Sequence, residues 1–168
     1  RLHVGATGLG WLRAAGGIGA ALTTIGLAAR PFRRHIGRIL LLAVGVFGLA
    51  TITLGLTTSY WVAFAAMAVL SAADAISVYV RATLVPLITA DEYRGRVLAV
   101  ENMFIGASNE LGAFESGVAG QLLGASAAVM LGGAATLGVV VIWWFGFTPL
   151  RDVDRFDDIP AGSVRPAT

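Results

Sequence analysis

The chain has no cysteine, only two histidines and few charges: 13% of its 168 residues are Asp, Glu, Lys or Arg, against 57% that are hydrophobic. Without cysteine there is no disulfide and no thiolate metal site, an absence that carries no information on compartment for a membrane protein. The histidines, His3 and His35, fall in separate connecting segments, and no HExxH, GxSxG or Walker pattern occurs. The sequence therefore reads as a non-enzyme that calls for no cofactor, no metal and no nucleic-acid partner. Scarce charge together with a mean hydropathy of +0.79 excludes an ordinary water-soluble domain, which would have too little polar surface to cover itself. The first eight residues also lack the basic, apolar and small-residue succession of a signal peptide, and the start at Arg1 reads as a cut end.

What is present is a series of apolar runs of about 20 residues, the length that spans a bilayer as helix. Residues 1–8 read as an extracytoplasmic stub, 9–147 as an all-α transmembrane bundle and 148–168 as a polar cytoplasmic tail without order. Within the bundle about five spans are expected: Leu9–Ala29, Ile39–Thr58, Trp61–Arg81, Val97–Leu122 and Ala125–Phe147. The first is closed by RPFRRHIGR, Arg30–Arg38, whose arginines and Pro31 end a membrane helix. The third is followed by ATLVPLITADEYRGR, Ala82–Arg96, which reads as a loop, with room for a short helical piece, because of Pro86 and the cluster Asp91, Glu92, Arg94 and Arg96. Tyr60 and Trp61 at one end and Trp143 and Trp144 at another suit interfacial belts.

Arginine placement orients the bundle. Arg30, Arg33, Arg34 and Arg38, then Arg81, Arg94 and Arg96, then Arg151, Arg155 and Arg165 fall on one side of the membrane. The other side holds Arg1 alone, with Arg13 just inside the first span. The basic side is cytoplasmic by the positive-inside rule, so the N-terminus is expected outside and the C-terminus inside a multi-pass protein of a bacterial inner membrane.

Ionisable groups within a bilayer cost about 2.5–3.5 kcal/mol each on insertion scales and mark candidate sites. In the fourth span Glu101 with Asn102, Ser108 with Asn109 and Glu115 with Ser116 recur every seven residues, one polar stripe along the helix, and Glu110 lies within it roughly 21 Å past Arg96. Such a stripe either lines a cavity, with carboxylates for a proton or cation and amides for substrate, or bonds to neighbouring helices. Glu101 also suits the inner interface and Glu115 the outer one. Glu110 is the first choice for a proton site and Asp74, midway along the third span, the second. Asp74 has the alternative of pairing with Arg81, seven residues on and on roughly the same face. Arg13 either binds an anionic group or snorkels outward. Small residues at Gly16, Gly17 and Gly19, and at Ser108, Gly112, Ser116, Gly120 and Gly124, are a packing signal that helices in relative motion also use. GATGLG, Gly5–Gly10, has no preceding strand and is no nucleotide loop.

Three stretches, LHVGATGLGWLRAAGGIGAAL (Leu2–Leu22), ADEYRGRV (Ala90–Val97) and ASNELGAFESGVAG (Ala107–Gly120), together resemble the C-terminal half of the major facilitator superfamily. Within it they are similar to the exporter branch that includes the enterobactin exporter and putative drug and macrolide efflux proteins. The resemblance implies a twelve-helix fold of two six-helix bundles with substrate held between them near the midplane. The spans here would be its eighth to twelfth helices, and the partner an N-terminal bundle of the same protein encoded upstream. It further implies proton-coupled efflux of a small molecule by alternating access, with protons and substrate as partners beside the lipid bilayer. RPFRRHIGR resembles the basic cytoplasmic gating loop of the family but departs from its Asp-Arg-x-Gly-Arg form, so positive-inside retention accounts for Arg33, Arg34 and Arg38 equally well. The competing reading from the residues is a non-transporting scaffold or assembly subunit that uses the polar stripe for helix contacts.

Overall fold

The computed structural model describes residues 5–32, 34–147 and 154. These form five α-helices: α1 (Ala6–Ala29), α2 (Ile36–Leu56), α3 (Tyr60–Ile88), α4 (Asp91–Leu123) and α5 (Ala125–Gly146). No strand occurs among the described residues. Helices α1, α2, α3 and α5 are long and apolar enough to cross a membrane. At about 1.5 Å per residue even α2, the shortest at 21 residues, covers the ~30 Å of a hydrocarbon core. The chain is thus an all-α protein of the membrane type. α4 is the longest helix, at 33 residues, but Glu101, Glu110 and Glu115 make it more polar than the rest.

The helices differ from the sequence expectation most at Ala82–Arg96. This segment is not a loop: α3 continues through Pro86 to Ile88, α4 begins at Asp91, and only Thr89 and Ala90 join them. Pro86 lacks an N–H and so forfeits one helical bond, but in the last turn of a helix that loss does not break the rod. Side chains add further hydrogen bonds around this turn. The Thr83 hydroxyl donates to the Tyr79 carbonyl at 2.8 Å, the Thr89 hydroxyl to that of Val85 at 2.7 Å and Arg94 Nε to that of Pro86 at 3.3 Å. Asp91 and Glu92 occupy the first turn of α4, where the positive end of the helix dipole favours them, and Asp91 pairs with Arg94 one turn on. Charges that resemble a loop in sequence are here a helix start.

Small side chains make up much of the core, beside Leu12, Leu27, Ile36, Leu41 and Val80. Ala15, Ala63, Ala66 and Ala73 are buried, while Trp61, Leu22, Ile25 and Phe145 point outward and are exposed. Large apolar groups outside and small ones between helices is the arrangement of a bundle solvated by lipid, where close backbone approach drives association. α3 packs on α1 and on α2, α2 on α5, α5 on α4, and α4 returns to touch α3 lightly. The α1–α3 crossing centres on Gly19, where an added Cβ would stand 2.1 Å from the Ala68 carbonyl oxygen. Gly48 and Gly133 serve the α2–α5 crossing in the same way, a Cβ at Gly133 meeting the Gly48 carbonyl at 2.8 Å. Gly124, with φ +83° and ψ 148°, is the single residue between α4 and α5, in a region of backbone space open essentially to glycine.

α4 has no buried residue. A Cβ at Gly112, Gly117, Gly120 or Gly124 would meet nothing within 4 Å, so these glycines serve no close helix crossing among the described residues. At the opposite end, His35 begins α2 in a left-handed conformation (φ 58°), and Asp154 from the tail lies against it. The His35 N–H donates to Asp154 Oδ1 at 3.1 Å, and the imidazole Nε2 is 3.6 Å from the same oxygen. Arg1, His3, Arg33, Arg151, Arg155, Arg165 and the expected tail other than Asp154 lie outside the described residues.

Candidate functional site

Asp74 stands at the middle of α3, with the buried side of that helix given by Ala63, Ala66, Ala73, Ser77 and Val80. Its own side chain is exposed and borders three cavities. A cleft of about 400 Å³ between α2, α3 and α5 has apolar walls, among them Val44, Phe47, Val140 and Trp143, with Asp74, Ser77 and Arg81 along one side. A second, of about 500 Å³, lies between α1 and α3 and is lined by Gly16, Gly17, Thr24, Ser71 and Tyr79. The third, about 400 Å³, is the groove left where α4 diverges from α3. Asp74, Val78 and Arg81 from α3 face Glu101, Phe104, Ile105, Ser108 and Asn109 from α4.

The α3–α4 groove is the candidate site because it gathers ionisable and amide groups from two helices at depth. Counting inward from the Thr89–Ala90 link at about 1.5 Å per residue, Arg81 stands roughly 10 Å in, Glu101 about 15 Å, Asp74 about 21 Å and Asn109 about 27 Å. Two carboxylates and one guanidinium therefore share a cavity with an amide, a hydroxyl and a phenyl ring. Asp74 and Arg81 are not joined by an ion pair among the described residues. Instead Arg81 Nε donates to the Ser77 carbonyl of its own helix at 3.4 Å.

Of the candidates read from sequence, Asp74, Glu101 and Asn109 are brought together, and Arg81, Ser108 and Phe104 join them. Asn102 is turned to its own helix, its amide donating to the Leu98 carbonyl at 2.9 Å. Glu110 follows Glu101 by nine residues, which at 3.6 per turn places it on about the opposite side of α4. It is exposed and lines none of these cavities. Glu115 shares the groove side but stands beyond Asn109 by more than a turn, exposed. Arg13 is exposed beside the α1 surface of Leu12, Ala15, Gly16 and Gly19 that meets α3. Arg34 and Arg38 are exposed at the start of α2, and Arg33 is outside the described residues. Arg94 is engaged with Asp91 and with the Pro86 carbonyl. Arg96 lines a separate cleft of about 410 Å³ with Val85, Ile88, Tyr93 and Val100. No group of His, Asp and Glu placed to hold a metal ion occurs among the described residues.

Trp143 and Phe47 carried no signal of a cavity in the sequence, since an aromatic near a span end reads as an interfacial anchor. No protein-family model, curated protein or solved structure matches the chain.

Proposed function

We propose that this chain supplies helices to a proton-coupled membrane transporter, with the α3–α4 groove as its substrate and proton site. The observation that carries this reading is the meeting of Asp74, Arg81, Glu101 and Asn109 from two helices in one groove, far along the helices from their link. Charges at that depth are expensive and persist where they bind or relay ions. In this reading Asp74 and Glu101 take up and release the proton. Asn109 and Ser108 offer hydrogen bonds to substrate, and Phe104 and Ile105 provide an apolar wall. Efflux of a small molecule by alternating access follows from the resemblance to the major facilitator exporters. So does a second bundle that covers the exposed α4. The cytoplasmic placement of the arginine-rich loops rests on the positive-inside rule, and the bacterial inner membrane on the resemblance to the exporters.

The test is proton-driven uptake of a fluorescent drug into inverted membrane vesicles from cells that express the reading frame encoding this chain. Asp74→Asn and Glu101→Gln should each reduce uptake by at least about tenfold, the order of a lost proton-transfer group. Uptake at wild-type rate in both variants overturns the assignment.

A second reading, a scaffold that binds partner helices without transport, is favoured by the α4 glycines Gly112, Gly117 and Gly120, where an added Cβ meets nothing within 4 Å among the described residues. Its signature is a stable complex with another membrane protein that survives Asp74→Asn but is lost when Gly112 and Gly120 are both replaced by Leu.

A further inference from the structure

We infer that the cleft at the α3–α4 link is a site for one anionic phospholipid, with its phosphate on Arg96 and an acyl chain along the valines beneath. The site is separate from the groove around Asp74 and needs only a bundle solvated by lipid, so it stands whether or not the chain transports. The cleft has a volume of about 410 Å³, inside the ~300–1,000 Å³ of small-molecule sites. Its walls come from α3, the link and α4, and no described residue of α1, α2 or α5 closes it.

Depth sets what meets this cleft. α3 has 29 residues, about 44 Å of helix, against ~30 Å of hydrocarbon core. With Tyr60 and Trp61 as interfacial anchors at one end, the other end of α3 and the first turns of α4 beside it reach the headgroup layer. Counted from the link, Tyr93 stands about 3 Å in, Arg96 about 8 Å, Val97 about 9 Å and Val100 about 14 Å. Side chains lean toward the N-terminus of their helix, and α4 starts at the link, so Tyr93 and Arg96 reach back toward water while the valines stay below. The cleft is thus polar at its mouth and apolar beneath, with Val85 of α3 and Val97 and Val100 of α4 among its walls. A diacyl phospholipid carries the same gradient over the same depth.

Charge decides which phospholipid. Arg96 is the one charged residue among those that line the cleft. The groups around it are accounted for. Asp91 pairs with Arg94, Arg94 Nε donates to the Pro86 carbonyl at 3.3 Å, and the Thr89 hydroxyl donates to the Val85 carbonyl at 2.7 Å. Glu92, one turn before Arg96, is exposed and forms no ion pair with it among the described residues. The Arg96 guanidinium and the Tyr93 hydroxyl are left as donors at the mouth, and the planar arginine fork matches two oxygens of a phosphate. A zwitterionic lipid brings its own cation against that guanidinium, whereas phosphatidylglycerol brings a phosphate and a neutral glycerol.

Native mass spectrometry counts the lipids kept by the protein, expressed from its complete reading frame and released from nanodiscs of equal parts phosphatidylglycerol and phosphatidylcholine. The wild type should keep phosphatidylglycerol over phosphatidylcholine by about fivefold, the order for one arginine near anionic headgroups. Arg96→Gln should bring the ratio close to parity. Arg96→Lys, which keeps the charge, should stay within about twofold of wild type, and Arg94→Gln, whose arginine is already engaged, should match wild type. No preference in the wild type overturns the site, as does a preference that survives Arg96→Gln or falls as far in Arg96→Lys. A photo-reactive benzoylphenylalanine at Val97, activated in the same nanodiscs, identifies the occupant. A phosphatidylglycerol adduct that Arg96→Gln depletes is the expected result. A cross-link to another protein segment in its place shows a helix in the cleft and overturns the lipid assignment, and neither result bears on the groove around Asp74.

Discussion

Gly19 is the tightest point of the α1–α3 crossing, and its neighbour Gly17 is open space. Replacing Gly19 by Ala drives a methyl into the Ala68 carbonyl, so the helices must separate, at a cost of about 1–3 kcal/mol for an overpacked contact. Gly17→Ala meets nothing within 4 Å and should be neutral or stabilising, since alanine is the better helix former. Steric-trapping measurements in bicelles should rank Gly19→Ala well below wild type and Gly17→Ala at or above it; equal stabilities would remove the crossing. The same resolution applies to acids. Glu101 and Glu110 both belong to the polar part of α4 and only the first faces α3. Glu110→Gln should therefore leave proton-driven uptake within about twofold of wild type while Glu101→Gln abolishes it, a split expected when only one group sits in the charged cavity. Loss of uptake in Glu110→Gln would move the proton site to the far side of α4.

At the scale of the element, the α3–α4 joint is the feature most open to direct test. A helix through Pro86 and a second one from Asp91 predict that single cysteines placed along Ala82–Arg96 react with a thiol reagent in a 3.6-residue period, broken only at Thr89 and Ala90. The chain has no native cysteine, so each probe reports alone. Uniform reactivity across the segment would restore the loop. The error in the sequence reading has a physical source: proline and clustered charges are the signals of a loop and equally of a helix end followed by a helix start, and their spacing does not distinguish the two. The four apolar helices were legible because hydropathy over about 20 residues is a strong signal. α4 was legible by its seven-residue polar repeat, which also picked out Glu101 and Asn109. Its partner was not. That Asp74 would face Glu101 across a groove depends on which helices adjoin, and small residues such as Gly19, Gly48 and Gly133 that set those crossings look alike in sequence to Gly17 and Gly112, which set none.

For the whole molecule, if α4 crosses along with the four apolar helices, the helix order fixes which connections share a side even before the side is known. The α1–α2 segment, the Thr89–Ala90 link and the residues after α5 fall together, and Ser59 and Gly124 fall opposite. Asp154 bound at the start of α2 agrees with that grouping, because it brings the tail to the α1–α2 segment. The segments Arg30–Arg38 and Asp91–Arg96 carry Arg30, Arg33, Arg34, Arg38, Arg94 and Arg96, whereas the opposite turns carry no charge. On the positive-inside rule we propose that this bundle sits with α1 starting outside. Cysteines at Ser59 and Gly124 should be labelled by a membrane-impermeant maleimide in intact spheroplasts, and cysteines at Arg34 and Ala90 only after permeabilisation. The opposite pattern would invert the protein. It would turn the α3–α4 link outward, so that Arg81 and Glu101 lay nearer the external face than Asp74, against the proposed direction of transport.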